Sequence, residues 1–142
     1  MQDKDTRELL SILNNIESKE LLDKFIEEEN FNRDVTISDF FNWICNNNKI
    51  KKSELIRLAD IDRTYGYQIL NGTKSPSRNN IIKLCIAAKL DLKGIDTALA
   101  IGNECKLYPR RKRDSLIIFG INKGLSLADM NEFLYDNNEE TL

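Results

Sequence analysis

The chain has 142 residues, of which 41% are hydrophobic and 31% charged, a composition that suits one globular domain or a small domain with helical extensions. Without histidine, and with only three widely spaced cysteines, it is not expected to hold zinc, to bind another cofactor or to use an imidazole base. The net charge is −2 and no apolar run approaches the roughly 18 residues of a membrane span, so we expect a soluble cytoplasmic protein with no membrane partner.

Apolar residues recur at helical spacing along the whole chain and strand-like alternation is absent, so the sequence predicts an all-α fold. Residues 1–34 are a predicted N-terminal helical segment with an acidic outer surface and two apolar stripes. The stripes comprise Leu9, Leu10, Leu13 and Ile16, and then Leu21, Leu22, Phe25 and Ile26. Residues 35–90 are a predicted four-helix domain, and residues 91–142 are a predicted C-terminal helical extension.

The first helix of the predicted domain is expected to begin after Thr36, with Asp39 in its first turn, and to stop at the asparagines 46–48. A short helix is predicted over residues 53–59 and another over residues 62–70, separated by a tight turn. Gly72 suits the end of this third helix, and Ser77 the start of a fourth. The three cysteines, Cys45, Cys85 and Cys105, are expected to be buried thiols.

Charge is distributed unevenly along the chain. Residues 49–78 carry seven basic and three acidic side chains, and residues 106–113 carry five basic and no acidic ones. Residues 1–34 and 114–142 each have a net charge of −5. Because a phosphate backbone responds to local potential, both basic segments are candidates for nucleic-acid contact. For the run Arg110, Arg111, Lys112 and Arg113, solvated surface and pairing of Arg113 with Asp114 or a nearby acidic helix remain alternatives.

The C-terminal half contains an internal repeat. Residues 78–107 align with residues 113–142 at a constant offset of 35, and nine of the thirty pairs are identical. The identical pairs include Arg78/Arg113, Ile82/Ile117 and Leu99/Leu134. The shared apolar positions predict a duplicated helical hairpin, the second packed on the first, which provides an extra lobe or a dimer surface.

The third predicted helix has the pattern of a recognition helix. Gly66, Ile69 and Leu70 form its inner face. Its outer face comprises Arg63, Thr64, Tyr67 and Gln68. Arginine can bond guanine and glutamine can bond adenine through paired hydrogen bonds, whereas threonine and tyrosine contact phosphates or base edges. A solvated helix surface is the alternative interpretation of the same residues.

Residues 52–78 resemble the Xre-type, phage-repressor-like helix-turn-helix, and the likeness extends over about residues 36–90. Its marks are Leu55, Ile61, Ile69, Asn71, Gly72, Lys74, Pro76 and Ser77. The resemblance implies a dimeric bacterial transcription regulator that binds double-stranded DNA with helix 62–70 in the major groove. It implies base contacts by Arg63 and Thr64, with Tyr67 and Gln68 further along the helix. The remaining implied DNA contacts are Lys52, Asn71, Lys74 and Arg78.

The chain departs from this family at three places. Lys51 and Lys52 replace the usual Ser/Thr-Gln at the start of the second helix, which favours phosphate binding there. Asp60 replaces the turn glycine and can adopt a left-handed backbone. Gly66 replaces an apolar residue, so either the helix is weaker or another backbone approaches closely. Residues 107–109 with Arg113 and Asp114 also resemble the C-terminal extension of a bacterial subgroup.

A second function remains open on the sequence alone. In this alternative the helix-turn-helix is only a scaffold, and the C-terminal extension holds a partner protein. An enzyme is not expected, because the chain has no histidine, no phosphate-binding glycine loop and no convergent carboxylate pair. Asp60 and Asp62 are better explained as turn and cap residues.

Overall fold

A computed structural model of the chain describes residues 35–142, and every regular element in this range is an α-helix. The helices are α1 (Ile37–Asn48), α2 (Lys52–Leu58), α3 (Arg63–Leu70), α4 (Arg78–Ala87), α5 (Leu92–Ile101), α6 (Lys112–Lys123) and α7 (Leu127–Asp136). The all-α prediction is confirmed for these residues, and the predicted N-terminal helical segment, residues 1–34, lies outside them. Within the described range, none of the helices has the length and apolarity needed to cross a membrane.

Helix α1 begins and ends where the sequence predicts. The Thr36 side chain accepts a hydrogen bond from the Asp39 amide, and the Asp39 carboxylate accepts one from the Thr36 amide, which forms a capping box. The helix ends at Asn48, within the predicted asparagines 46–48, and Asn47 donates its side-chain amide to the Trp43 carbonyl one turn earlier. The chain leaves at Lys49, whose φ of 57° is left-handed.

A single hydrophobic core joins all seven helices and continues across the predicted domain boundary at residue 90. Phe40 and Phe41 of α1 are fully buried and meet edge to face, with ring centroids 5.1 Å apart. Leu55 of α2 and Ile69 of α3 are also fully buried. The second hairpin joins the same core through Ile117, which is 0% exposed.

The predicted repeat has a structural counterpart at the same offset. The first hairpin is α4–α5 and the second is α6–α7, and α7 has the bounds of α5 shifted by 35 residues at both ends. Left-handed backbone recurs at Asn103 (φ 61°) and Asn138 (φ 63°), and at Lys89 (φ 62°) and Gly124 (φ 75°). The Leu107 amide donates to Asp96 and the equivalent Leu142 amide donates to Asn131. The two hairpins therefore share a backbone plan as well as an apolar pattern.

Two arginines at equivalent positions join the hairpins in a crossed arrangement. Arg78 makes a bidentate ion pair with Asp114 at the start of α6, at 3.2 and 2.9 Å. Arg113 donates to the Asn79 side chain at the start of α4, at 3.2 Å. Asn79 and Asp114 are themselves 35 residues apart, so each arginine contacts the residue that follows the other arginine. Of the alternatives for Arg113, pairing with Asp114 is not the one observed, because the Asp114 carboxylate accepts from Arg78.

Position 66 requires glycine because the side chain of Ile56 occupies the space that a Cβ would need, and not because another backbone segment approaches. A Cβ at this position would lie 2.6 Å from Cγ2 of Ile56, whose branched side chain is fixed between α2 and α3. At Gly120 a Cβ would meet the sulfur and terminal methyl of Met130 at 2.5 Å, but these are the mobile end of a flexible side chain.

Alanine at these two helical glycines is expected to act in opposite directions. Gly66→Ala should lower the free energy of unfolding by about 1–2 kcal/mol, because overpacking against Ile56 exceeds the roughly 1 kcal/mol gained in helix propensity. Gly120→Ala should be neutral or stabilising, because Met130 can move aside. Urea unfolding followed by circular dichroism measures both values, and equal destabilisation of the two variants would contradict this account.

Candidate nucleic-acid interface

Helix α3 is buried on one side and open on the other. Gly66, Ile69 and Leu70 lie in the core, as the sequence predicts. Arg63 and Thr64 are exposed, and Tyr67 and Gln68 are half-buried on the same open side. The helix begins at Asp62, whose carboxylate accepts a hydrogen bond from the Tyr65 amide at 3.1 Å. The four predicted outer residues therefore share one surface, which is oriented by the burial of the opposite side.

Arg63 is partly ordered before any ligand binds. Its guanidinium carbon lies 5.9 Å from the centroid of the Tyr67 ring, in cation–π range. Tyr67 in turn packs against the core cluster, so its ring is a fixed support. This contact favours a position of the guanidinium at the open surface of α3, where its N–H groups can donate hydrogen bonds to a ligand.

Helix α1 anchors the C-terminal end of α3. Ser38 donates its hydroxyl to the Leu70 carbonyl at 2.6 Å, and Asn42 donates its side-chain amide to the same oxygen at 2.9 Å. These bonds satisfy a carbonyl that a helix end leaves without an intrahelical partner. Neither residue was identified from the sequence, because their partner lies 32 and 28 residues away.

The loop after α3 is closed by bonds to the helix. The amides of Thr73 and Lys74 both donate to the Gln68 carbonyl, at 2.9 and 3.1 Å, and Gly72 has a φ of 87°. Asn71 ends the helix and uses its side-chain oxygen to accept from the Thr73 amide at 3.0 Å. Lys74 is consequently exposed at a fixed point beside the end of α3, whereas part of the hydrogen-bonding capacity of Asn71 is used internally.

A second group of cations lies at the start of α2. Lys52 is the first residue of this helix and is exposed. Lys51 precedes it without a side-chain cap, and Lys49 is exposed in the turn before it. The turn between α2 and α3 passes through Asp60, whose φ of 56° agrees with the expected left-handed backbone. Lys49 belongs to the basic segment 49–78 but was not among the individually predicted DNA contacts.

Arg78 is a predicted contact residue whose guanidinium bonds mainly to partners inside the molecule. It pairs with Asp114 and donates to the carbonyls of Cys105 at 2.9 Å and Lys106 at 3.2 Å. Its side chain is 21% exposed and that of Asp114 only 4%. Four of its five N–H donors are used by these internal partners, so Arg78 is not included in the proposed interface.

Thiol chemistry is not favoured in the interior of this fold. Burial raises the pKa of the Cys85 thiol well above its usual range. Burial also raises the pKa of Cys45, and the nearby Lys52 charge opposes this rise. Since the thiolate is the reactive form, both thiols are poor nucleophiles. Cys105 is exposed, contrary to the expectation that all three are buried, because it lies in the link after α5. Among residues 35–142, no three Cys, Asp or Glu side chains are grouped to hold a metal ion.

Comparison of the chain with family models, with curated proteins and with solved structures finds no match.

Proposed function

We propose that this chain is a small bacterial transcription regulator with a phage-repressor-like helix-turn-helix, and that it binds a specific sequence of duplex DNA with α3 in the major groove. The observation that carries the proposal is the arrangement around α3. One side of the helix is fully buried, and the other exposes an arginine stacked on a tyrosine, with threonine and glutamine beside them. Exposed Lys74 lies beside the C-terminal end of this helix.

The dimensions of α3 suit the groove. An α-helix with its side chains is about 10–12 Å in diameter, which fits the major-groove width of about 12 Å, and the eight residues of α3 extend for about 12 Å along the helix axis. Arg63 and Thr64 lie at the N-terminal end of the helix, which is the end that contacts bases in this type of motif. Tyr67 and Gln68 follow one turn later on the same side.

Exposed lysines provide the phosphate contacts. Lys51 and Lys52 precede or open α2 and Lys74 follows α3, and all three are exposed, so they are the candidate phosphate contacts of the helix-turn-helix. Residues 35–142 carry sixteen basic and thirteen acidic side chains, so this part of the chain is net positive although the whole chain is not. Affinity is therefore expected to fall steeply with salt.

Selection from a random duplex library tests this proposal. The full chain should enrich a defined sequence, and fluorescence anisotropy should show tighter binding to that duplex than to a scrambled one at two salt concentrations. No enrichment, together with duplex binding no stronger than that of an acidic control protein, would reject specific DNA binding.

The second hairpin has an open apolar face, and we infer that a second copy of the chain covers it. In the first hairpin Leu84 and Ala98 are both 0% exposed. Their equivalents 35 residues later are Phe119, which is 49% exposed, and Phe133, which is half-buried. The two phenylalanine rings lie 5.4 Å apart. The face that buries the first hairpin on the rest of the fold is thus uncovered in the second hairpin.

Charges around this face favour self-association. Lys123 lies over the Phe119 ring on α6, at 5.5 Å from its centroid, whereas Asp129 and Asp136 lie one turn from Phe133 on α7. A two-fold contact that places α6 of one copy against α7 of the other brings these opposite charges face to face. A dimer also allows two α3 helices to reach half-sites about 34 Å apart.

Substitution of Phe119 tests this dimer. Wild-type protein should sediment as a dimer. Phe119→Glu should be monomeric, because burying an unpaired charge at the centre of an apolar contact has a large desolvation cost. Tyr135→Glu is the matched control: this aromatic residue is 74% exposed and its equivalent, Ala100, is exposed as well. A monomeric wild type, or equal effects of both substitutions, would contradict the dimer.

The adaptor function is the second candidate, and the same open face favours it. If the chain is monomeric and selects no duplex, a partner protein on Phe119 and Phe133 becomes the better account. A complex that survives high salt and is lost in Phe119→Glu would support the adaptor, because an apolar contact is not screened by ions.

A further inference from the structure

The basic run 110–113, which leads into α6, contains two residues that bond within the molecule and two that are exposed without an ion pair among the described residues. Lys112 donates to the Asn137 carbonyl at 2.9 Å and lies 3.8 Å from the Glu139 carboxylate. Arg113 donates to the carbonyls of residues 140 and 141 and to Asn79. Arg110 and Arg111 are exposed, and neither has an ion pair with a residue in 35–142. Only the first two arginines of the run are therefore available to a ligand.

The segment that carries these arginines is held firmly at its base. Arg78 donates to the carbonyls of Cys105 and Lys106, and the Asp114 carboxylate accepts from the Tyr108 amide at 3.0 Å. Leu107 lies between Lys106 and Tyr108 in the sequence and its side chain is only 6% exposed, so it fixes the segment to the hydrophobic core. Lys106 and Tyr108, on either side of Leu107, are exposed. Residues 105–111 thus form an anchored loop with its cations outside.

The anchored loop runs beside the end of the recognition surface. Arg78 is the first residue of α4 and directly follows the loop that carries Lys74. Lys74 and Pro76 line a common cavity with Gly102 and Asn103, which immediately precede the anchored loop. The loop therefore begins next to the α3–α4 connection and continues past the N-terminus of α4.

We propose that Lys106, Arg110 and Arg111 form a second phosphate-binding site, which contacts the backbone of duplex DNA beyond the stretch covered by α3. The proposal rests on the proposed function, because the site extends the surface that begins at Lys74. Guanidinium groups suit phosphate oxygens, since their planar donors can bond two oxygens at once. The exposed Tyr108 hydroxyl adds a donor in the same loop.

The salt dependence of binding measures this site directly. Each phosphate contact contributes about 0.9 to the slope of log affinity against log salt concentration. Arg110→Gln/Arg111→Gln should therefore reduce that slope by about 1.8 on the duplex selected by the wild-type chain. The preference for that duplex over a scrambled one should be unchanged, because phosphate contacts carry no base information.

A double variant with the same loss of charge provides the control. Lys83→Gln/Lys89→Gln also removes two positive charges, and Lys89 lies just beyond the opposite end of α4 from Arg78. The net charge falls equally in both double variants, so a difference between their slopes reports where the removed charges lie relative to the DNA. The control should keep the wild-type slope within about 0.5, well below the 0.9 that one lost phosphate contact would remove.

The outcomes separate this inference from the function on which it rests. If both double variants have the same slope while Arg63→Ala still loses sequence preference, the second phosphate site is overturned and the α3 interface stands. If no duplex is preferred by the wild-type chain, the proposed function fails first. If only the arginine variant loses slope, residues 105–111 contact DNA.

Discussion

Asp114→Ala should lower the free energy of unfolding by about 3 kcal/mol. Asp114 is 3% exposed and accepts both hydrogen bonds of the Arg78 fork and a third from the Tyr108 amide. Removing one partner of a buried ion pair costs about 3–5 kcal/mol, because the other charge loses its compensation. We expect the lower end of this range, since Arg78 remains 21% exposed and keeps two carbonyl partners. Urea unfolding gives the value.

An exposed ion pair in the same chain provides the control. Arg57 and Glu54 lie 2.7 Å apart on α2, with side chains 67% and 48% exposed. Glu54→Ala should cost less than about 1 kcal/mol, because solvent screens a surface pair. Equal losses in Asp114→Ala and Glu54→Ala would show that the link between the hairpins contributes no more than a surface contact.

Arg63→Ala should remove most of the sequence preference. The loss of a bidentate base contact is expected to reduce the ratio of affinities for the selected and scrambled duplexes about 5- to 150-fold, corresponding to about 1–3 kcal/mol. Lys74→Ala should weaken binding to both duplexes alike, because a phosphate contact is independent of sequence. Anisotropy titrations at one salt concentration measure both ratios.

Arg63→Lys distinguishes a base contact from a simple charge. Lysine keeps the positive charge but lacks the planar fork and the stacking on Tyr67. The preference should fall nearly as far as in Arg63→Ala, while binding to the scrambled duplex should stay near the wild-type value. Full preference in Arg63→Lys would mean that Arg63 acts only through its charge.

Local signals made much of the helical pattern predictable. Thr36, Asp62 and Ser77 cap the helices that the sequence assigned to them, because a capping side chain bonds amides only two or three residues away. The end of α1 was less predictable. Any of several polar residues after Cys45 could adopt a left-handed backbone, and the one that does is Lys49.

Long-range partners could not be predicted from local patterns. Arg78 was expected at the DNA, yet it pairs with a residue 36 positions away. The repeat could have indicated this structural role, because arginine occupies the equivalent positions 78 and 113 and both arginines join the two hairpins. The repeat could not show which apolar face is covered, because Leu84 and Phe119 are both apolar and only the packing around them differs.

The most direct test of the central claim is an amide chemical-shift titration of the full chain with the selected duplex. We expect the largest shifts at residues 63–68, with further shifts at residues 51–53 and 71–77, because these segments line the proposed interface. The amides of α7 should change little on binding. Shifts confined to α6 and α7, or no shifts at any duplex concentration, would contradict the insertion of α3 into the major groove.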